Sequence, residues 1–491
     1  MNLGLLAPGT LVALLILTPL IGALLVSLTG RWPNLRETVT LLTAATLFGL
    51  ATQLIDPVVN GDGASLVVAE PIPGLSIAFD VEPLGLVFSL LASLLWFVTS
   101  VYAIGYVRGI KEQRQTSFFA FFAIAICGAM GVATAGNLLT LFIFYEVLTL
   151  STWPLVTHKR TGAARAGGRT YLGVLMVTSI GLLLPAIIWT WVVAGTTDFT
   201  PGGILIGRIN PTAAAILLTM FVLGVGKAAV MPMHRWLPAA MVAPTPVSAL
   251  LHAVAVVKAG VFTITKVVIY IFGIDFLAAV PMEKYLVYLA GFTVVAASIV
   301  ALKQVELKRM LAYSTIGHIG FIMLGVIAGT ADGYAGVLVY MTIYLFMSMG
   351  AFAVIVLMNR EGIQGELLDD FAGLSKVRPG YALAMGLYLF SLAGIPFLGG
   401  FWAKYVVFMA AIEAGHLYLA IIALLFSVVG AFYYIRVVKY IYFDETRVAF
   451  EFVENRLMQA TVAVTAVAVV AIGLYPQPVI NICKAALGGI I

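Results

Sequence analysis

Apolar runs of about 20 residues, the length that crosses a bilayer as a helix, recur along this whole chain. They fall at 8–28, 37–55, 82–106, 116–135, 138–157, 170–194, 211–231, 246–272, 284–302, 309–329, 334–358, 381–412 with an interruption, 417–442 and 457–475. Backbone in hydrocarbon must satisfy its own hydrogen bonds, so these runs predict an all-α polytopic membrane protein with fourteen spanning helices. Of 491 residues, 62% are hydrophobic and 10% charged, against about 25% charged in ordinary globular chains, which excludes a soluble fold. The first run, Thr10 to Leu28, follows no basic segment and has no small-residue cleavage site, so it reads as a retained helix. In the long loop at 56–83, apolar residues alternate between Pro and Gly, and a short hairpin is expected there.

The net charge of +5 is explained by its distribution rather than by an acidic partner such as nucleic acid. Nineteen of the 27 basic residues lie in loops after odd-numbered helices, whereas the even-numbered loops and the tail carry only Arg208, Lys284 and Lys484. The positive-inside rule then places the odd loops in the cytoplasm and both termini on the outer side of a cell membrane.

The remaining basic residues, Lys227, Lys258, Lys266, Lys404 and Arg436, fall inside helical runs, together with Glu146, His252 and His318. A charge at the bilayer centre costs about 2.5–3.5 kcal/mol on insertion scales, so a chain that keeps several there has a partner or a task for each. Lys266 and Arg436 lie toward helix ends, where snorkelling to the headgroups is open to them. Glu146 in "LTLFIFYEVLTLST" has a short stem, and Lys258 sits half-way along its helix. Burial lowers the proton affinity of a lysine and a nearby carboxylate restores it, so a Glu–Lys pair of variable separation is a proton-affinity switch. Lys227 is the expected partner of Glu146, and histidine is the side chain suited to receive a proton near neutral pH. Packing with satisfied hydrogen bonds is an equal alternative for His252 and His318.

Two helices are expected to be broken. "KAAVMPMHRWLP" carries Pro232 five residues beyond Lys227, with His234 just after it, and "SLAGIPFLGGFWAK" carries Pro396, Gly399 and Gly400 before Lys404. Proline removes a backbone hydrogen bond, and the freed groups must face protein or water. Lys227 and Lys404 stand 177 residues apart, and Glu146 and His318 172 apart, as if one charged block recurred. A five-helix unit, helices 4–8 and then 9–13, fits that offset, and an odd unit inverts its second copy in the membrane. The chain then divides into residues 1–115 (helices 1–3 and the outer loop), 116–275 and 276–443 (the two repeats), and 444–491 (helix 14 and tail).

Chemistry on board is limited. Cys127 and Cys483 form no Cys-x-x-Cys, which argues against an iron–sulfur cluster or haem attachment. "GVGKAAV" lacks phosphate-loop spacing. No helical Asp/Glu cluster resembles a sodium cage. Neither cofactor nor metal is therefore expected, and the chain offers no catalytic or redox site of its own.

Four segments resemble the antiporter-like subunit family of complex I, Mrp-type Na⁺/H⁺ antiporters and membrane-bound hydrogenases: 138–156, 224–262 (with "WLPAAMVAPTPVSALLHA"), 307–325 ("YSTIGH") and 391–405. The likeness covers helices 4 to 13. It implies that Glu146, Lys227, Lys258, His318 and Lys404 match the family's midplane row, along which protons move, with His234 and His252 as further candidates. The length suits an Mrp D-type or hydrogenase-associated subunit, while "APTPVSALLHA" resembles the large-subunit type. The expectation is a proton-translocating subunit of a multi-subunit Na⁺/proton antiporter, partnered by other membrane subunits. The alternative is a pump subunit of a redox complex such as complex I or a membrane-bound hydrogenase, or of a proton-coupled carbon-uptake complex.

Overall fold

The computed structural model describes residues 6–61, 63–278, 283–358, 365–446 and 456–487. The spanning helices are α1 (Pro8–Leu28), α2 (Pro33–Gln53), α3 (Pro83–Gly109), α4 (Gln115–Thr134), α5 (Leu138–Val156), α6 (Gly162–Ala194) and α7 (Pro211–Gly224). They continue with α8 (Thr245–Phe272), α9 (Glu283–Leu302), α10 (Leu307–Ala328), α11 (Ala331–Met358), α12 in two halves (Pro379–Ala393 and Gly399–Glu413), α13 (Leu417–Phe443) and α14 (Arg456–Leu474). Among the described residues, twelve helices are long and apolar enough to cross a bilayer unbroken; α7 and the first half of α12 are shorter apolar pieces, as expected of interrupted helices. The expected hairpin is present as β1 (Ser65–Ile72) paired antiparallel with β2 (Leu75–Asp80). Of the basic loop residues, Arg360 and Arg447 lie outside the described residues.

Helix α6 begins eight residues earlier than its apolar run. Thr161 caps it, accepting from Ala164 N at 3.1 Å, so its first two turns carry Arg165 and Arg169 and looked like loop in the sequence. Asn137 caps α5 through Thr140 N (2.8 Å) and donates to Ser76 O (2.8 Å), which ties α5 to the hairpin.

Small residues let helices approach closely where lipid supplies no hydrophobic drive. Gly128 and Gly131 of α4 face Leu148 and Phe144 of α5, and a Cβ at Gly128 would lie 2.9 Å from Leu148 N. Pair α9–α10 packs as closely as α4–α5, α8 lies against the turn that follows α7, and α13 lies against both halves of α12. The described side chains of α8 are all buried.

Candidate functional site

Both breaks form, but the first begins earlier than Pro232 suggested. Helix α7 ends at Gly224, and Lys227 sits inside the break itself, in a single tight turn Gly226–Ala228 followed by Ala229 at φ 57°. Tertiary bonds hold this turn: Tyr145 OH accepts from Lys227 N (3.1 Å), and Trp236 Nε1 donates to Gly226 O (2.8 Å). Pro232 is exposed in the turns beyond. In α12 the first half ends with Gly394 at φ 91°, and Pro396 and the exposed Phe397 form the link. Gly399 and Gly400 start the second half; a Cβ at Gly400 would clash with the Ser391 carbonyl, whose own hydroxyl accepts from Gly400 N (2.9 Å).

Lys227 is completely buried. Its Nζ donates to Tyr145 O (2.7 Å) and to Thr149 Oγ1, and lies 3.1 Å from the Tyr145 ring centre. Glu146, the partner expected from sequence, acts on Lys227 electrostatically but makes no ion pair with it. Both Glu146 carboxylate oxygens are buried without a hydrogen bond. The pair is therefore apart in this conformation, with the ammonium held by α5 backbone and hydroxyl instead.

The row continues through α8. Gly260 meets the broken segment so closely that a Cβ there would lie 2.2 Å from Ala228 N, which brings the helix carrying Lys258 against the turn carrying Lys227. Lys258 Nζ has no hydrogen-bond partner and lies 3.7 Å from the Tyr344 ring centre. Tyr344 OH is 2.7 Å from Thr315 Oγ1, which is 2.7 Å from His252 Nδ1. His252 stands in a widened turn, Leu250–Val254, of the kind that recurs at functional sites. His318 lies beside Tyr344 with ring centres 4.9 Å apart and the rings tilted by 59°, and its nitrogens meet Tyr340 OH (2.6 Å) and Tyr434 OH (3.0 Å). Tyr434 is bonded in turn to Ser314.

Lys404 closes the row. From the second half of α12 its Nζ reaches back to Ala393 O (2.7 Å), at the end of the first half, and to Ser427 Oγ (2.8 Å) on α13. The ammonium lies 5.2 Å from the Phe321 ring centre, on the same helix as His318. Contacts through Tyr344 thus join Lys258, His252 and His318, while Glu146, Lys227 and Lys404 are held on neighbouring segments without a direct bond to that group. His234 does not join it: it is partly exposed, with Nδ1 3.2 Å from Pro232 O, and its nearest ring is Tyr313 at 6.3 Å.

Sequence reasoning missed the hydroxyls that connect the charges, because Tyr145, Tyr340, Tyr344 and Tyr434 read as apolar aromatics. It also missed further buried ion pairs, so Glu146 is not the one acid inside the protein. Lys266 is buried and does not snorkel: its Nζ lies 2.6 Å from Glu82 and 2.7 Å from Ala135 O. Lys308, assigned to a loop, is buried and paired with Glu366, donating also to Ala243 O (3.0 Å). Arg36 and Glu37 are buried near the start of α2, and Arg108 pairs with Glu37. Arg436 reaches Leu302 O (2.8 Å) and Gln304 O (2.6 Å), capping the orphan carbonyls at the end of α9 rather than turning to headgroups. Among the described residues no cluster of His, Cys, Asp or Glu is arranged to hold a metal ion.

The chain has relatives among known proteins. Residues 135–430 match the family described as NADH:quinone oxidoreductase/Mrp antiporter, transmembrane. NADH-quinone oxidoreductase subunit N of Acidithiobacillus ferrooxidans is 33% identical, over 82% of this chain and 85% of its own. The subunit of the same name from Paramagnetospirillum magneticum is 38% identical over 74% and 75%. The fold superposes on a chain of the membrane-bound sulfane sulfur reductase, an archaeal respiratory membrane complex (TM-score 0.87, 24% identity, 98% and 97% covered). It also superposes on a chain of the Mrp complex from Dietzia sp. DQ12-45-1b (TM-score 0.84, 22% identity, 100% and 98% covered). At these identities the two structures establish the fold alone. The Mrp D-type assignment suggested by chain length is not supported: the sequence relatives named here are N subunits of NADH-quinone oxidoreductases.

Proposed function

The chain belongs to the NADH:quinone oxidoreductase/Mrp antiporter transmembrane family, and on that premise we propose that it is the proton-translocating subunit N of a complex I-like NADH:quinone oxidoreductase in a bacterial inner membrane. Its partners are the other membrane subunits of that complex. The observation that carries the reading is the buried system from Glu146 and Lys227 through Lys258, Tyr344 and His318 to Lys404, set in otherwise apolar helices. Retaining these groups in hydrocarbon is costly, and a proton path uses each of them.

The geometry supports a stepwise mechanism. Glu146, unpartnered at its oxygens, is the mobile charge: its approach stabilises the Lys227 ammonium and its withdrawal favours proton release. The proton then passes toward Lys258, whose ammonium faces a tyrosine whose hydroxyl continues to Thr315 and His252. His318, between two tyrosine hydroxyls, relays it toward Lys404, and bridging waters complete the gaps. Loops after odd-numbered helices face the cytoplasm in this reading, as their charge requires. Electron transfer in partner subunits drives the cycle.

The test is proton pumping in inverted membrane vesicles energised with NADH, with Glu146→Gln, Lys227→Ala and Lys404→Ala. The expected result is loss of the pH gradient with the complex still assembled. Undiminished pumping in all three variants would exclude the row as a path, and a gradient dissipated by Na⁺ only in the wild type would return the chain to the antiporter class.

A further inference from the structure

A second polar site stands apart from the proton row, at the end of α5 and the start of α6. A cavity of about 590 Å³ is lined there by Arg114, Arg160, Arg165, Arg169 and His158, and no acidic residue lines it. Arg114 donates to His158 O (2.9 Å), and His158 is engaged with Gln113 O (3.0 Å) and Glu112 (3.6 Å). No described residue accepts a hydrogen bond or forms an ion pair with the guanidinium groups of Arg160, Arg165 or Arg169. Three uncompensated cations converging on one cavity call for an anion of matching geometry, and guanidinium forks suit phosphate.

The rest of the site specifies what carries that anion. Trp153 and Phe121 form the apolar side of the cavity. From there an exposed apolar strip continues along both helices. On α5 it includes Leu150, 56% exposed, and on α6 Val177, 71% exposed. Arg165, Arg169, Gly173 and Val177 recur every four residues, each beside the next, along a line that winds gradually round α6. Gly173 has open space where its Cβ would stand, so the strip has a shallow floor between the two helices. Twelve residues of helix span about 18 Å, near half of a hydrocarbon core of about 30 Å. A cationic end joined to an apolar furrow one leaflet deep matches an amphiphile.

We propose that this cavity binds the phosphate headgroup of an anionic phospholipid, with an acyl chain lying in the furrow between α5 and α6. Juxtamembrane basic residues attract the anionic lipids of the cytoplasmic leaflet, where the charge rule places this end. The strip runs along the face of α5 that also holds Glu146, since 146, 150, 153 and 157 share one side of the helix. The bound lipid therefore borders the carboxylate of the proton row without touching it.

The experiment is native mass spectrometry of the full-length chain in mild detergent, titrated with phosphatidylglycerol and, separately, phosphatidylcholine. One phosphatidylglycerol should be retained in preference to phosphatidylcholine. Each basic side chain near an anionic lipid contributes roughly fivefold (about 1 kcal/mol), so R165Q/R169Q should weaken retention about 25-fold and R165K/R169K should restore most of it. An Arg31→Gln control, outside the cavity, should change nothing. Equal retention of both lipids, or unchanged phosphatidylglycerol binding in R165Q/R169Q, overturns the proposal. So does full displacement by millimolar inorganic phosphate, which would mark a site for a soluble anion. Unchanged lipid binding with loss of a co-purifying subunit would instead assign the cavity to an acidic segment of a protein partner. Because the readout is lipid retention, failure here leaves the proton-path reading intact, and pumping failure leaves this one intact.

Discussion

The Lys258 ammonium lies 3.7 Å from the centre of the Tyr344 ring, while the hydroxyl of the same tyrosine is 2.7 Å from Thr315. One side chain offers its face to a cation and its edge to a hydrogen-bonded chain that ends at His252. Cation–π contact is a weak holder compared with an ion pair, which suits a charge that must come and go.

Replacing Tyr344 separates those two duties. Tyr344→Phe keeps the ring and removes the hydroxyl, so pumping per NADH oxidised should fall roughly fivefold, the equivalent of one hydrogen bond of about 1 kcal/mol. Tyr344→Leu, which removes the ring as well, should fall further. Equal pumping in the wild type and both variants would remove Tyr344 from the path.

Gly260→Ala should displace the broken segment of α7, because the new methyl would meet Ala228 N and Lys227 C, both backbone atoms. Overpacking of this kind costs about 1–3 kcal/mol. A lowered thermal midpoint of the purified protein together with reduced pumping is expected, even though no ionisable group is altered. Gly49→Ala, where nothing lies within contact, serves as the control.

Breaking the buried Lys266–Glu82 pair on one side should be far worse than removing both. Lys266→Met leaves a buried carboxylate unpaired at a cost of about 3–5 kcal/mol. Adding Glu82→Gln should recover most of the loss. Folded yield and thermal unfolding in detergent read this out; a single variant as stable as the wild type would mean that Glu82 finds water.

His158 lies outside the spans, and burial pushes its imidazole below the usual range, an effect that Glu112 opposes only in part. In the unfolded chain this ring takes up a proton as pH falls below about 6.5, before it does in the folded protein. Stability contributed by the neutral ring is therefore full above that pH and declines below it. His158→Gln should flatten the decline between pH 7 and pH 5.5, measured as the difference in thermal midpoint between the two proteins.

The helices were legible because hydrocarbon demands about 20 apolar residues and self-satisfied backbone, a requirement written locally in the sequence. The breaks were legible in place but not in form. Proline marks where a helix cannot continue, yet α7 stops eight residues before Pro232, because Tyr145 and Trp236 hold the Lys227 turn from across the bundle. The charged members of the row stood out against apolar surroundings. Their connectors did not, since a tyrosine lining a proton path and a tyrosine packing a core read alike. Lys266 and Lys308 were misplaced for a related reason: their burial is created by Glu82 and Glu366, far away in sequence. Glu146 acts on Lys227 electrostatically without an ion pair, a separation that the sequence does not specify.

Lys404 grows from one half of α12 and grips the last carbonyl turn of the other. The side chain is therefore a tendon across a joint. The two halves cannot swing apart without dragging the amine away from Ala393, and the amine cannot swing toward His318 without slackening the joint. On the proposed proton path, moving this amine toward His318 would break the hydrogen bond that ties the two halves of the helix.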